Sequence, residues 1–140
     1  MTALIGTWKL KSVVREVSGT GERFDIWGAH PDGYLSYSKD GRMYFIGVAA
    51  VRIKPEEVVL SDAEAAQLHK SMAAYAGTYS VEGDKVVHHV DISWNNAWTG
   101  TDQVRFFTLE GDTLTIKSAP NKSWIDGREG VGILVWKRVK

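Results

Sequence analysis

Two ionisable side chains, His88 and Arg105, are the residues of this sequence best placed to do chemistry inside a protein. They fall in the segment 75–109, on predicted strands whose remaining inner positions are mostly apolar. Histidine exchanges protons near neutral pH, and a buried guanidinium needs an anionic or hydrogen-bonding partner. The pair therefore predicts the polar end of a ligand site or a site of proton transfer.

The two-residue period of a β-strand decides which side chains face inward. His88 shares a face with Val86, Val90, Ile92 and Trp94, whereas His89 shares the opposite face with Asp91 and Ser93. Adjacent strand residues point to opposite faces, so the two histidines are not expected to bind one metal ion, and no metal site is predicted. By the same parity Arg105 lies inside with Phe107, and Tyr79 lies inside with Val81.

The clearest hairpin, 34–48, turns at Lys39-Asp40-Gly41 and places Ser38 opposite Arg42. This register puts four side chains on the inner face: Leu35, Tyr37, Met43 and Phe45. The predicted internal polar set is Ser12, Tyr37, Tyr79, His88 and Arg105. The predicted apolar ring around it is Trp8, Met43, Phe45, Trp94, Phe107 and Trp136. The loops 27–31 and 95–100 each hold a tryptophan and suit the mouth of a pocket.

The order of elements predicts an all-β fold, a single up-and-down antiparallel β-barrel with one helix at about residues 61–76. Ser61 and Glu64 have the spacing of a capping box, an alanine-rich stretch follows, and Gly77 fits a C-terminal cap. Strands are predicted at 5–17 and 22–27, in the two arms of the 34–48 hairpin with the second arm continuing over 48–53, and at 78–81, 86–94, 103–109, 113–117 and 130–139. Consecutive hairpin-linked strands favour a closed barrel, which removes exposed edges.

Composition limits the classes of partner. The chain has 140 residues, the size of one domain over 1–140, with seventeen basic and seventeen acidic residues and no cysteine. No basic stripe is present for nucleic acid, and no long apolar run is present for membrane insertion. The expected protein is cytoplasmic and needs no cofactor, and a homo-oligomer is compatible with these features.

Five segments resemble the bacterial lipocalin-like domain family: LIGTWKL, GYLSYSKDGRM, AYAGTYSVEGDKVVHHVDISWNNAW, GTDQVRFFTLEGDTLTI and GVGILVWKR. The first contains the Gly-x-Trp element, Gly6-Thr7-Trp8. The resemblance implies a compact β-barrel with an internal pocket. It also implies that Trp8 lies near the barrel floor under a basic residue of the last strand, a role that Arg138 matches.

Three functional hypotheses follow. The first is binding of a small, largely apolar molecule with a polar or anionic end, through Tyr37, Met43, Phe45, Tyr79, His88, Trp94, Arg105 and Phe107. The alternative is a cofactor-independent isomerase, cyclase or lyase in the same pocket, with Arg105 stabilising an oxyanion and His88 moving a proton. A third, partner binding through the 61–76 helix, requires a fully packed interior.

Both central residues also have purely structural interpretations. Arg105 could stack on a tryptophan and bond to backbone carbonyls, and His88 could be an interior histidine bonded to a tyrosine.

Overall fold

Ten strands and one α-helix are present in the computed structural model, which describes residues 3–140. The first five strands are β1 (Gly6–Val17), β2 (Arg23–Phe24), β3 (Asp32–Tyr37), β4 (Arg42–Val48) and β5 (Met72–Glu82). The other five are β6 (Lys85–Ser93), β7 (Asp102–Glu110), β8 (Thr113–Ser118), β9 (Asn121–Lys122) and β10 (Glu129–Arg138). Helix α1 (Asp62–Lys70) lies between β4 and β5, and one 3-10 turn (Asn96–Trp98) lies between β6 and β7.

Eight of the strands close into an antiparallel barrel, as predicted. Seven pairings run in the order β1-β3-β4-β5-β6-β7-β8-β10, and an eighth pairing of β10 with β1 closes the sheet. The short strands β2 and β9 lie beside β1 and β10. The hairpin of β3 and β4 has the predicted register, because the Ser38 amide donates to the Arg42 carbonyl at 2.9 Å and Tyr37 pairs with Met43. The fold is thus an up-and-down barrel with one helix.

The two ends of the barrel differ. Tight turns after β3, β5 and β7 lie at one end, with Trp8 and the final residues of β10. The Arg138 guanidinium stacks 4.2 Å from the Trp8 ring centroid and donates to the Ile5 carbonyl, so this end is closed as the resemblance implies. The longer loops after β1, β4, β6 and β8, with α1, lie at the other end, which we call the loop end.

Helix α1 is shorter than predicted. Its capping box at Ser61 and Glu64 is present, but the helix ends at Lys70 with Ser71 as its C-terminal cap. Residues 72–76 belong to β5, where Met72–Thr78 pairs with β4. Alanine-rich sequence has high helix propensity, but pairing of β5 along β4 and burial of alternate residues outweigh that preference here. Gly77 is consequently a strand residue.

Two β-bulges reverse the predicted facing of several side chains. One lies between Leu10 and Ser12, so that Val13 and Arg15 face inward and Ser12 does not. The other lies opposite Ala76 and Gly77, at Asp91. Beyond it Ile92 is 65% exposed, so its predicted inward position is wrong. A single extra residue shifts the two-residue period by one and turns every later side chain to the other face.

Two predicted strands are also shorter in the structure. The 22–27 strand is only Arg23–Phe24, and the strand through 48–53 stops at Val48. Within residues 3–140, no helix is long and apolar enough to cross a membrane.

Candidate functional site

A cavity of about 80 Å³ lies inside the barrel toward its loop end. Most of its wall is apolar. The apolar lining residues are Val13, Ile26, Trp27, Leu35, Phe45, Ala73, Trp98, Ile116, Trp124, Gly132, Leu134 and Trp136. The polar ones are Arg15, Tyr75, His88, Arg105, Ser118, Asn121 and Ser123. Within residues 3–140 no acidic side chain lines this cavity, although two arginines do.

His88 is the centre of a buried hydrogen-bonded chain. Its Nε2 atom lies 2.6 Å from the Tyr37 hydroxyl, and its Nδ1 atom lies 2.7 Å from the Tyr75 hydroxyl. All three side chains are buried, so both tyrosines retain their protons: burial raises the pKa of Tyr37 well above its usual value and also raises that of Tyr75. Burial, together with the positive charge of Arg105, lowers the pKa of His88 well below its usual value. The imidazole is therefore neutral at physiological pH.

Arg105 is buried, and its guanidinium is hydrogen-bonded to the backbone. Within the described residues, its guanidinium donates one hydrogen bond, at 3.2 Å to the carbonyl of the adjacent Val104. It lies 5.8 Å from the ring centroid of Trp98, and a polar contact with the Tyr75 hydroxyl partly offsets the rise in the pKa of that tyrosine. Most of its hydrogen-bonding capacity is thus available on the cavity side.

Arg15, the second cavity arginine, is held quite differently. Its guanidinium donates to the Asn121 side chain and to the Asn121 carbonyl, both at 2.6 Å, and to the Arg128 carbonyl at 3.2 Å. These bonds tie β1 to the segment that follows β8. Burial lowers the pKa of Arg15, while the charges of Asp126 and Glu129 oppose that change. Arg15 is therefore a structural residue that also contributes charge to the cavity.

The two arginines lie at the same level of the barrel wall, on strands β1 and β7. Arg15 pairs with Gly132 of β10, and Arg105 pairs with Ser118 of β8. Gly132 and Ser118 meet where the Gly132 amide donates to the Ser118 hydroxyl at 2.8 Å. Two small residues therefore lie between two long cationic ones, which leaves open space along this part of the wall.

Four tryptophans pack together at the loop end, and we call them the tryptophan cluster: Trp27, Trp94, Trp98 and Trp124. Neighbouring rings are edge to face at centroid distances of 5.2–6.3 Å. Three of the four line the cavity, and two come from the loops predicted to form a pocket mouth. The cluster is thus the aromatic cover of the cavity.

Within residues 3–140, three buried indole nitrogens have no hydrogen-bond partner: Trp27 Nε1, Trp124 Nε1 and Trp136 Nε1. All three residues line the cavity, although these nitrogen atoms themselves are inaccessible.

The predicted site residues divide into three groups. Phe45, His88 and Arg105 line the cavity. Four others lie inside the barrel without lining it: Tyr37, Met43, Tyr79 and Phe107. Trp94 follows the bulge at Asp91 and does not line the cavity, contrary to its predicted place among the ligand contacts; its ring packs on Trp98 and Trp124 at the loop end.

Two cavity residues were absent from the predicted set, Arg15 and Tyr75. Arg15 was hidden by the bulge in β1, although the change of the apolar side between Leu10 and Val13 is a sequence signal of that bulge. The predicted helix 61–76 includes Tyr75, although Ala73, Tyr75 and Gly77 alternate with period two as strand residues do.

Comparison with known proteins identifies the family. The family model described as "Lipocalin-like domain" matches residues 5–139. The chain belongs to this family. A search of curated proteins returned no significant match to this lipocalin-like chain.

One solved structure similar to this lipocalin-like chain is the crystal structure of an uncharacterized protein from Bacteroides eggerthii. The two share 13% sequence identity with a TM-score of 0.44, over 97% of this chain and 99% of the other.

Mild acid is expected to destabilise the lipocalin-like barrel through His88. The groups that face this imidazole are Tyr37, Tyr75 and Arg105, and none favours its cationic form. Since the folded-state pKa lies below the unfolded value of about 6.5, the unfolded chain binds a proton first as pH falls. The free energy of unfolding should therefore decrease below about pH 6.5, by up to about 1.4 kcal/mol per pH unit.

Urea unfolding between about pH 7.5 and pH 5 measures this loss and stays above the range in which carboxylates titrate. His88→Gln should reduce the slope, and His89→Gln, a change at the neighbouring outward-facing histidine, should retain it. An equal slope in wild type and His88→Gln would contradict the assignment.

Proposed function

We propose that this protein is a single-domain binding module for a small, largely apolar molecule with one anionic end, held in the barrel cavity. The observation that carries the proposal is Arg105, a buried cation in an apolar cavity. Within the described residues its polar partners are the Val104 carbonyl and the neutral Tyr75 hydroxyl, and no acidic side chain pairs with it. An uncompensated buried charge is costly, whereas a ligand carboxylate or phenolate can accept two parallel guanidinium bonds. The ligand would thus supply the missing counter-charge.

The contrast between the two cavity arginines supports this assignment. Arg15 has three hydrogen bonds to Asn121 and Arg128, as a structural arginine should. Within the described residues Arg105 has one well-formed hydrogen bond, to the carbonyl of the residue next to it, besides its polar contact with the Tyr75 hydroxyl. Its guanidinium lies 5.8 Å from the Trp98 ring centroid. A guanidinium retained only for stability would be expected to have a fuller set of acceptors.

The walls favour a short, ring-sized ligand body. Phe45, Leu35 and Trp136 belong to the apolar majority of the lining, which surrounds the polar group of Arg105, Tyr75 and His88. At about 80 Å³ the cavity is smaller than the roughly 300–1,000 Å³ typical of sites for drug-sized ligands. The third hypothesis, partner binding through α1, requires a fully packed interior. Because the barrel contains a cavity, that requirement is not met.

A direct test compares benzoate with benzyl alcohol, two probes of similar size that differ in charge. Arg105→Met should weaken benzoate binding by about tenfold to one hundredfold, because a charged hydrogen-bonding partner is lost. Binding of benzyl alcohol should change by less than about twofold, since it has no charge to lose. Titrations followed by 1H–15N NMR of the labelled protein measure both affinities.

Two controls separate binding from structure. Arg42→Met removes an exposed arginine at the closed end and should leave both affinities unchanged. Urea unfolding of Arg105→Met should show a free energy of unfolding equal to or above that of wild type, because an unpaired buried charge is removed. Undiminished benzoate affinity, or a large loss of stability, would assign Arg105 to structure instead.

The chain of Tyr37, His88 and Tyr75 supports a second candidate function, a cofactor-independent isomerase, cyclase or lyase. Tyr75 lines the cavity beside Arg105, and its hydroxyl lies 2.7 Å from His88 Nδ1, so a proton could pass between ligand and imidazole while Arg105 stabilises an oxyanion.

Phenylpyruvate, an enolisable carboxylate, tests this second function in deuterium oxide. Exchange of its C–H protons faster than in buffer, and lost in His88→Gln, would favour the enzyme; binding without exchange would reject it for this substrate type.

A further inference from the structure

The direction of the hydrogen bonds through His88 can be deduced from the three residues themselves. Tyr37 is 1% exposed, and within residues 3–140 its hydroxyl has no hydrogen-bond partner except His88 Nε2. If Nε2 carried the imidazole proton, it would donate to the Tyr37 oxygen and leave the Tyr37 O–H buried without an acceptor. Nε2 is therefore the acceptor, and Tyr37 is the donor.

The second half of the chain follows from the first. A neutral imidazole has a single N–H, so an unprotonated Nε2 requires the proton on Nδ1. Nδ1 then donates to the Tyr75 oxygen 2.7 Å away, and the Tyr75 O–H must point elsewhere. Tyr75 lines the cavity, and Arg105, which makes a polar contact with the same hydroxyl, can only donate. The free direction for this O–H is thus the cavity.

We infer that Tyr75 is a ligand-binding donor of the site, and that Tyr37 and His88 act as positioning residues that orient its O–H toward an acceptor-only oxygen. This inference rests on the proposed function, and it specifies the head group more narrowly. Tyr75 O–H and the Arg105 guanidinium are both donors, so the matching group is a carboxylate or phenolate oxygen. A head group that itself presents N–H, such as an amide or amine, places donor against donor.

The tautomer of His88 can be measured without any ligand. In long-range 1H–15N spectra of the histidine-labelled wild-type protein, Nδ1 should resonate as a protonated nitrogen and Nε2 as an unprotonated one. The spectrum of His88→Gln identifies the signals of this residue. A proton on Nε2, or a doubly protonated ring at neutral pH, would overturn the inference even if benzoate binds.

Affinity for benzoate tests the consequence for binding. Tyr75→Phe should weaken binding by about tenfold, the loss of one hydrogen bond to a charged group. Tyr37→Phe, a change outside the cavity wall, should weaken it by at least about twofold, because the Tyr75 O–H can then turn toward Nδ1. The double variant should bind no more weakly than Tyr75→Phe alone, since Tyr37 acts through Tyr75.

Tyr79→Phe is the matched control. Its hydroxyl also lies within the barrel, but it donates to the Ser38 carbonyl at 3.0 Å and the side chain does not line the cavity, so benzoate affinity should be unchanged. Wild-type affinity in Tyr37→Phe, or additive losses in the double variant, would overturn the inference. If Arg105→Met keeps wild-type benzoate affinity together with the tyrosine variants, the proposed function fails. If the tyrosine variants keep wild-type affinity but Arg105→Met loses it, the proposed function stands without this inference.

Discussion

Trp8→Ala is expected to lower the free energy of unfolding by about 3–5 kcal/mol, the range for removal of a fully buried large aromatic side chain. Trp8 is fully buried at the closed end, and its indole nitrogen donates to the Leu4 carbonyl at 3.0 Å. Its ring is also the surface on which the Arg138 guanidinium stacks at 4.2 Å. The alanine variant would lose the packing, the hydrogen bond and the stacking surface together.

Urea unfolding monitored by far-UV circular dichroism measures the effect of Trp8→Ala. Trp8→Phe is the control, because it keeps an aromatic surface beneath Arg138 while removing the donor to Leu4, and it should cost clearly less than the alanine variant. Trp8 does not line the cavity, so Trp8→Phe should retain wild-type benzoate affinity. A loss below about 1 kcal/mol in Trp8→Ala would contradict the structural role given to this residue.

Gly77→Ala is expected to cost about 3 kcal/mol or more, at the upper end of the range for overpacking. A Cβ atom at this position would lie 1.9 Å from the His89 carbonyl oxygen and 2.9 Å from its carbonyl carbon. Both are backbone atoms of the strand paired with β5, and neither can rotate away as a side chain could. The adjacent bulge at Asp91 would have to be rebuilt, which would disturb the strand that carries His88.

Gly132→Ala is the matched control, because it is the same substitution at another strand glycine. The nearest atoms to its added Cβ would be side-chain atoms at 3.7 Å and 3.8 Å, which is ordinary contact. Thermal and urea unfolding of the two variants should therefore differ by at least about 2 kcal/mol. Equal stabilities would show that the β5–β6 pairing can open at Gly77 without penalty.

These substitutions and those of the cavity address different parts of the barrel. Trp8 and Gly77 determine whether the barrel closes, whereas Arg105 and Tyr75 determine what the cavity contains. Because Arg105 is an underbonded buried cation, the site residue most important for anion binding is expected to reduce stability rather than add to it. In Arg105→Met, benzoate affinity should thus fall while the free energy of unfolding does not. In Gly77→Ala, both should fall.

The barrel, its hairpin register and the inward position of several polar side chains could all be predicted from the sequence. Strand periodicity and glycine turns are local properties, so His88, Arg105 and Tyr37 could be assigned to the inner face wherever the period was unbroken. The start of α1 at Ser61 was equally readable, because a capping box is a contact between residues three apart.

Which inner residues share the cavity could not be predicted in this way, because it depends on how the strands pair. A β-bulge depends on how two strands pair and is not specified by either one alone, so Arg15 and Trp94 could not be placed from parity. Tyr75 follows a helix-favouring stretch, and pairing with β4 rather than local propensity made it a strand residue beside His88. The site depends on contacts between residues distant in sequence, and closure of the barrel is what brings them together.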